Sequence, residues 1–397
     1  MIPYHQQLAF KRRVVEKAYA TYSGLNPDQV PAVLPTIPSP NQYGYRTKIT
    51  PHFDAPPKGK KTEAQGASGS TDPLRKEWEL RIGFDQKGRR TVMDIEECPI
   101  ATDVLNKGLE IARKNVQQTI STYKKGATLL LRDSLAVPVW ETNLSNGEEA
   151  FTKSVIAETD DQDERHYCIT SHKATVRERV GDTLFEFSAG SFFQNNNSAL
   201  EPLTSHVRDA IFSSSEGEAL EPGSTIRKSP THLVDTYCGS GLFSLTLSPH
   251  FSHVAGIEID SAAIRAAQHN TNLNGLSLSK HKFHAGKSED IFASVLSSSE
   301  ETFPPDDTVV VVDPPRKGCD EAFIDQVVSF GPSVLVYVSC NVHTQARDVG
   351  MLIRKMEVKS EGSYVLDSLR GFDLFPQTAH VESVAVLRRV VVHSVFH

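Results

Sequence analysis

Two runs near the C-terminal end, Val309-Val-Val-Val312 and Val334-Leu-Val-Tyr-Val338, carry no polar face at all. A strand with one wet side alternates apolar and polar residues, whereas a strand covered on both sides reads as a continuous β-branched run. These two runs therefore call for a parallel sheet with helices on both faces, and the surrounding sequence supplies the pieces. Strand patterns at Leu233–Thr236, Val254–Ile259 and Lys282–Ala285 alternate with helical ones at Ser198–Phe212, Leu242–Leu247, Asp260 to Gly275 and Ala322–Ser329. Asp260 is placed to cap its helix and Gly275 to end it. The alternation predicts a doubly wound α/β sheet over 185–397.

The first half reads differently. Leu8, Val15, Tyr19 and Tyr22 fall at helical spacing behind Pro3, which predicts an amphipathic helix over residues 4–22 with Lys11, Arg12 and Arg13 on its solvated face. A proline-punctuated linker then runs to about Pro40, so 1–40 forms a leading helix and linker. From Tyr43 the strand patterns are Tyr43–Phe53, Trp78–Phe84, Arg90–Ile95, Ala127–Arg132, Val137–Thr142, Phe151–Ile156 and Ala174–Val180, with one helix from Ala101 to about Ser121. Strands with a single helix predict a smaller α+β domain over 41–184. Pro56 to Thr71 is too rich in Gly, Lys, Ser and Ala to bury a core and reads as a mobile loop. The acidic run Asp160 to Glu164 reads as a solvated loop, and 213–231 and 296–306 as surface insertions.

Composition narrows the classes. No apolar run approaches the ~20 residues of a membrane span, and the polar N-terminus is not a signal peptide. Cysteines 98, 168, 238, 319 and 340 are scattered, odd in number and free of any CxxC pair. That spacing argues against a disulfide framework, a zinc ribbon and a four-cysteine iron–sulfur cluster. His250, His253, His281 and His284 lack a carboxylate or thiol at ligand spacing, so no metal is expected. An intracellular location follows, in cytoplasm, nucleus or mitochondrion. The net charge of −7 opposes nucleic-acid binding on average, but local patches decide it. Between Arg75 and Arg90 six basic residues face three acidic ones.

Four constellations can carry chemistry. Asp235-Thr-Tyr237-Cys238-Gly239-Ser-Gly241 follows a strand, and Glu258 closes the next one. Two glycines let a ligand approach the backbone, and an acid at the second strand's end can accept hydrogen bonds from ribose hydroxyls. The GxGxxG pyrophosphate form is absent, because its third glycine would be Ser244. A ligand with a ribose and no phosphates suits such a turn, as S-adenosylmethionine does. In Asp313-Pro-Pro-Arg316 the prolines hold the acid at the strand's carboxyl edge. The third joins Phe192-Phe193-Gln194-Asn195-Asn196 to Ser339-Cys340-Asn341, whose thiol leaves the strand where open sheets place ligands and is a candidate nucleophile. The fourth is Asp373 to Glu382, a carboxylate near a histidine. Taken alone, Glu382 reads as a surface acid.

In this order and spacing, FxQxN, DPPR, SCN and HVE resemble the RNA uracil-C5 methyltransferases that use S-adenosylmethionine, above all the tRNA (uracil-54-C5) methyltransferases of fungal type. The resemblance covers about the last 210 residues strongly and the first half more loosely, through Tyr4–Tyr22 and Tyr43–Lys48. It implies a Rossmann-like, S-adenosylmethionine-dependent methyltransferase domain preceded by a smaller α+β domain. It implies a cofactor held by Gln194, Tyr237, Glu258 and Asp313 at the Gly239 turn, Cys340 as nucleophile toward uracil C6, and Glu382 as the base that removes the C5 proton. The implied partner is the T-loop of tRNA, and a monomer is expected. Phe192, Phe193 or Phe375 could stack on bases. Leu242 stands where the family often has Asn, removing one cofactor hydrogen bond. Val342 replaces the Pro of SCNP, which should loosen that turn. The iron–sulfur cysteines of ribosomal RNA relatives are missing and no OB-like domain is expected within these residues, so either the sequence is truncated or RNA binding rests on the 41–184 domain. Methylation of another structured RNA uridine, a tRNA-folding factor with incidental methylation, and a small-molecule methyltransferase are the competing readings.

Overall fold

The computed structural model describes residues 2–57, 78–89, 91–136, 155–161, 164–213, 229–296, 303–359 and 362–390. The chain divides into two compact units. The first comprises Met1–Gln42, Arg179–Glu186 and Phe192–His397, and the second Tyr43–Glu178 and Phe187–Ser191. The chain passes between them within the two-stranded hairpin Thr175–Val180/Thr183–Ser188.

The first unit contains, in order, α1 (Tyr4–Tyr22), β1 (Leu34–Ile37), α2 (Leu200–Phe212), β2 (His232–Thr236), α3 (Leu242–Thr246), β3 (His253–Glu258), α4 (Ser261–Leu273), β4 (His281–Ala285) and α5 (Ser288–Leu296). It continues with β5 (Thr308–Val312), α6 (Glu321–Phe330), β6 (Val334–Ser339), α7 (Val342–Lys359), β7 (Ser363–Phe372) and β8 (Glu382–Val390). The eight strands form one sheet in the order β1-β7-β8-β6-β5-β2-β3-β4. From β4 through β6 neighbouring strands are parallel. β8 runs antiparallel to both β6 and β7. Every residue of β5 and β6 is buried, as their unbroken apolar runs require. The fold is a Rossmann-like α/β sheet, and its strand order reverses at β2, with β3 on one side and β5 on the other. The crevice at the carboxyl ends of strands flanking such a reversal is where open sheets bind ligands.

Two sequence expectations need correction here. The helix and linker expected as a separate piece over 1–40 belong to the first unit: Val15, Ala18 and Tyr19 of α1 and Val33 lie in the same core as Val310, Leu335 and Val349. β1 completes the sheet beside β7. Lys11, expected in solvent, is only 2% exposed, because α1 presents it to the segment after β7. α5, α7, β7 and β8 went unassigned. β8 is buried at its first seven positions, yet its Arg388-Arg389 end interrupts the apolar run.

The second unit holds two four-stranded antiparallel sheets. Helix Asp103–Thr119 presents Val104, Leu105 and Leu109 to Ile49, Leu131 and Cys168. Gly108 is required there, since a Cβ would come within 2.3 Å of the Cys168 sulfur. Arg132 is fully buried and paired with Glu178 at 2.6 Å. The Asp160 run is not a loop: strand Val155–Asp161 pairs with Glu164–Ile169, setting Asp160 opposite Arg165. The strand expected at Ala127–Arg132 is split into Ala127–Thr128 and Leu131–Leu135, each in a different sheet. The loop expected at Pro56 to Thr71, the strand at Val137–Thr142 and most of 213–231 lie outside the described residues. Among those described, no helix is long and apolar enough to cross a membrane.

Candidate active site

At the reversal point the glycine turn is built from below. Asp235, fully buried at the fourth position of β2, accepts from the Ser244 N–H at 2.8 Å and the Ser244 hydroxyl at 2.6 Å. This ties α3 to the strand while the chain between them turns sharply. Tyr237 takes a left-handed φ of 62° and Gly241 one of 97°, the former a strained setting for a non-glycine residue. Gly239 also has positive φ, and a Cβ on it would meet nothing within 4 Å, so its face is open. Glu258, at the end of β3, accepts from the Gly239 N–H at 3.2 Å and the Asp260 N–H at 2.9 Å. Its carboxylate is thereby fixed over the turn. Ile259, the next residue, is 62% exposed.

The acids interact. Burial, then the charge of Asp235, pushes Asp313 up from its ordinary carboxylate range. Burial raises Asp235 itself to about 7, with Ser244 opposing and Glu258 adding to the rise. Asp235, buried beneath the turn, thus lies close enough to feel the charge of Glu258 and to act on Asp313.

The thiol and the distant carboxylate meet through strand register. β6 and β8 pair Val338 with Val384 and Ser339 with Ser383. Cys340 is the first residue after β6 and Glu382 the first of β8, so the two come to the same end of this strand pair, where the Glu382 charge bears on the thiol. Gln345 locks the pairing: its amide donates to the Tyr337 carbonyl at 2.7 Å and the Ser383 carbonyl at 3.1 Å, and it accepts from the Ser383 hydroxyl at 2.6 Å. The Cys340 turn is held by its neighbours, with the Asn341 N–H on the Ser339 hydroxyl at 3.0 Å and the Asn341 amide on the Arg316 carbonyl at 2.8 Å. Thr344 reaches the same carbonyl at 3.2 Å. Val342, expected to loosen this turn, is 2% exposed and begins α7.

Charges around this pair are unbalanced. Glu382 is fully buried and neither carboxylate oxygen has a hydrogen-bond partner, so it is not the surface acid its sequence position implied. Burial and then Asp313 raise it well above the ordinary carboxylate range, with Arg316 opposing. Cys340 is partly accessible. Burial raises its thiol, Glu382 and Asp313 add to the rise, and a hydrogen bond and charge from Arg316 pull it back. Arg316, quoted in the DPPR motif without a role, is therefore the one cation seen to bear on the Cys340–Glu382 pair among the described residues.

Gln194 is half-buried in the segment leading into α2. Its neighbour Asn196 anchors that segment, donating to the Ser39 hydroxyl at 3.0 Å and the Leu374 carbonyl at 3.1 Å. Of the aromatic candidates, Phe192 is 74% exposed. Phe193 is buried against Phe185, and Phe375 lies edge-on to His380. Leu242 is a buried packing residue at the start of α3. All five cysteines are free, and the described residues bring no three His, Cys, Asp or Glu side chains together as a metal site.

Comparison with known proteins follows this geometry. The family profile described as tRNA (Uracil-5-)-methyltransferase matches residues 219–390. The chain is 45% identical to the tRNA (uracil(54)-C(5))-methyltransferase of Schizosaccharomyces pombe, over 98% of this chain and 63% of that protein. It is 38% identical to the enzyme of the same name from Saccharomyces cerevisiae, over 98% of this chain and 60% of that one. The chain thus spans about three-fifths of these relatives' length. Among solved structures, Pyrococcus abyssi tRNA (uracil-54, C5)-methyltransferase in complex with S-adenosyl-L-homocysteine superposes with a TM-score of 0.61 at 23% identity, covering 97% of this chain and 84% of that one. That likeness speaks to the fold alone. Residues 219–390, which span Tyr237, Glu258, Asp313, Cys340 and Glu382, match the domain described as tRNA (Uracil-5-)-methyltransferase.

Proposed function

We propose that the protein methylates C5 of a uridine in tRNA, at position 54 of the T-loop, using S-adenosylmethionine and a transient bond between Cys340 and uracil C6. The observation that carries the reading is that a partly accessible thiol and a buried, unpartnered carboxylate come to the same end of the β6–β8 pair, in a sheet that also carries an open glycine turn.

The residues present fit the cofactor. Gly239 leaves its face free, Glu258 offers acceptor oxygens suited to ribose hydroxyls, and Ile259 offers an exposed apolar surface beside them. The converging carboxylates suit a cationic sulfonium better than a polyphosphate. We assign Gln194, Tyr237, Gly239, Glu258 and Asp313 to holding it. When bound, the cofactor supplies an electrophilic methyl group.

The chain's own residues do the rest. The Cys340 thiolate adds to C6, and the C5=C6 electron pair moves toward the O4 enolate, making C5 nucleophilic. Arg316 favours the thiolate that this step needs. After C5 has taken the methyl group, Glu382 accepts the C5 proton. The electrons of the broken C5–H bond restore C5=C6 and expel the Cys340 thiolate. A carboxylate raised by burial is a stronger base than one in water, which suits it to a carbon acid. The uracil must leave its stack to expose C6 to the thiol and C5 to the methyl donor. Exposed Phe192 is suited to stacking on a neighbouring base.

We assign RNA binding to the second unit. Partly exposed Arg46 and Lys48 lie side by side there, the Arg46 guanidinium donating to the Lys48 carbonyl at 2.8 Å. Concentrated positive charge is what phosphate contact requires. The test is mass mapping of tRNA after incubation with cofactor labelled in its methyl group. The label should appear as 5-methyluridine at T-loop position 54; label at a different uridine, or none in RNA, contradicts the assignment.

A further inference from the structure

Glu382 is preceded by a nine-residue connection, Asp373 to Val381, which joins β7 to β8 and contains Gln377 at a left-handed φ of 65°. The hold on this connection comes in large part from the other end of the chain. On α1, Lys11 is 2% exposed, its ammonium paired with Asp373 and donating to the Phe375 carbonyl at 2.9 Å. Four residues earlier, on the same face of the helix, Gln7 makes a two-way amide contact with Gln377. Its Nε2 donates to the Gln377 side-chain oxygen at 2.9 Å, and its own oxygen accepts the Gln377 N–H at 3.2 Å. Apolar contacts alone would secure α1, as Val15 and Tyr19 already do on its core side. A buried ammonium is unfavourable unless paired, so a directional polar clamp is better explained by a need for one defined conformation than by stability.

We propose that Lys11 and Gln7 are positioning residues which, by gripping Asp373, Phe375 and Gln377, hold the Glu382 carboxylate across from Cys340 for removal of the C5 proton. This rests on the reading of Glu382 as the base. Loosening the grip leaves the thiol, the glycine turn and the methyl-transfer step intact. It slows only the step in which C5–H breaks and the thiolate departs.

The test compares Lys11→Met, Gln7→Leu and Glu382→Gln in the full chain, with tRNA and methyl-labelled S-adenosylmethionine. Gln7→Leu creates no unpaired charge and serves if Lys11→Met folds poorly. Both clamp variants should lower kcat by roughly 10- to 100-fold, the effect of an ångström-scale misplacement, with KM for tRNA and cofactor unchanged. Both should accumulate methylated RNA covalently attached to protein on denaturing gels, as Glu382→Gln should. A purely structural role would reduce active protein without accumulating that adduct. If Glu382→Gln traps the adduct while both clamp variants release product at the wild-type rate, the positioning role is overturned and the base assignment stands. If Glu382→Gln traps nothing, the base assignment fails and the positioning role falls with it.

Discussion

At the scale of single residues, the site sets two acids against one guanidinium around a thiol. Because Glu382 and Asp313 raise the Cys340 thiol while Arg316 lowers it, its nucleophilicity depends on which charges are present. An opposite charge a few ångströms away shifts a pKa by about one unit or more. Arg316→Ala should therefore slow alkylation of Cys340 by iodoacetamide at pH 7 by up to about tenfold, and Glu382→Gln should quicken it at pH 8. Peptide mass spectrometry across a pH series reads both; equal rates in all three proteins would remove Arg316 from the account. The motifs around Cys340 and Glu382 were legible in sequence because they are short and local. The burial of Glu382 and Lys11 was not, because it depends on partners that local sequence does not show: Lys11 is enclosed by Asp373 at the other end of the chain, and Glu382 starts β8, which lies between β6 and β7.

At the scale of elements, the parallel strands announced themselves. β5 and β6 are covered on both faces, so their sequences needed no interpretation of period. The two-residue strands at Lys48–Ile49 and His52–Phe53 could not, since so short a run carries no period and is fixed by its partners. The link between β2 and α3 is open to a direct test. Asp235 stands at about 7, against about 3.9 for an unfolded aspartate. With its folded value raised, its contribution to stability is fully present below about pH 3.9 and is lost as pH rises through about 7. Above that, Asp235 is a buried anion whose described donors are the Ser244 N–H and hydroxyl. Ser244→Ala removes one of them. It should cost about 1.5–3 kcal/mol at pH 8 and about 1 kcal/mol at pH 5, where the acid is neutral. Thermal melts of variant and wild type at the two pH values check this; a difference independent of pH would mean that Asp235 is not the group involved.

Over the whole molecule, the sequence separates a strand-rich region from an alternating one, and two compact units exist. The separation went astray at the start of the chain. An amphipathic helix followed by a proline-rich stretch looks like an appendage, because nothing local shows that Tyr19 packs with residues beyond 300 or that Leu34–Ile37 pairs with β7. The proposed catalysis would draw on both ends of the first unit, with α1 securing the segment that leads to Glu382 and β6 leading to Cys340. The most direct test of the covalent step uses a T-loop RNA with 5-fluorouridine at position 54, whose fluorine cannot leave as a proton does. Incubated with S-adenosylmethionine and digested, the protein should yield one modified peptide, carrying the methylated nucleotide on Cys340, and Cys340→Ala should yield none. Attachment to Cys98, Cys168, Cys238 or Cys319, or turnover with no protein–RNA bond at all, would contradict it.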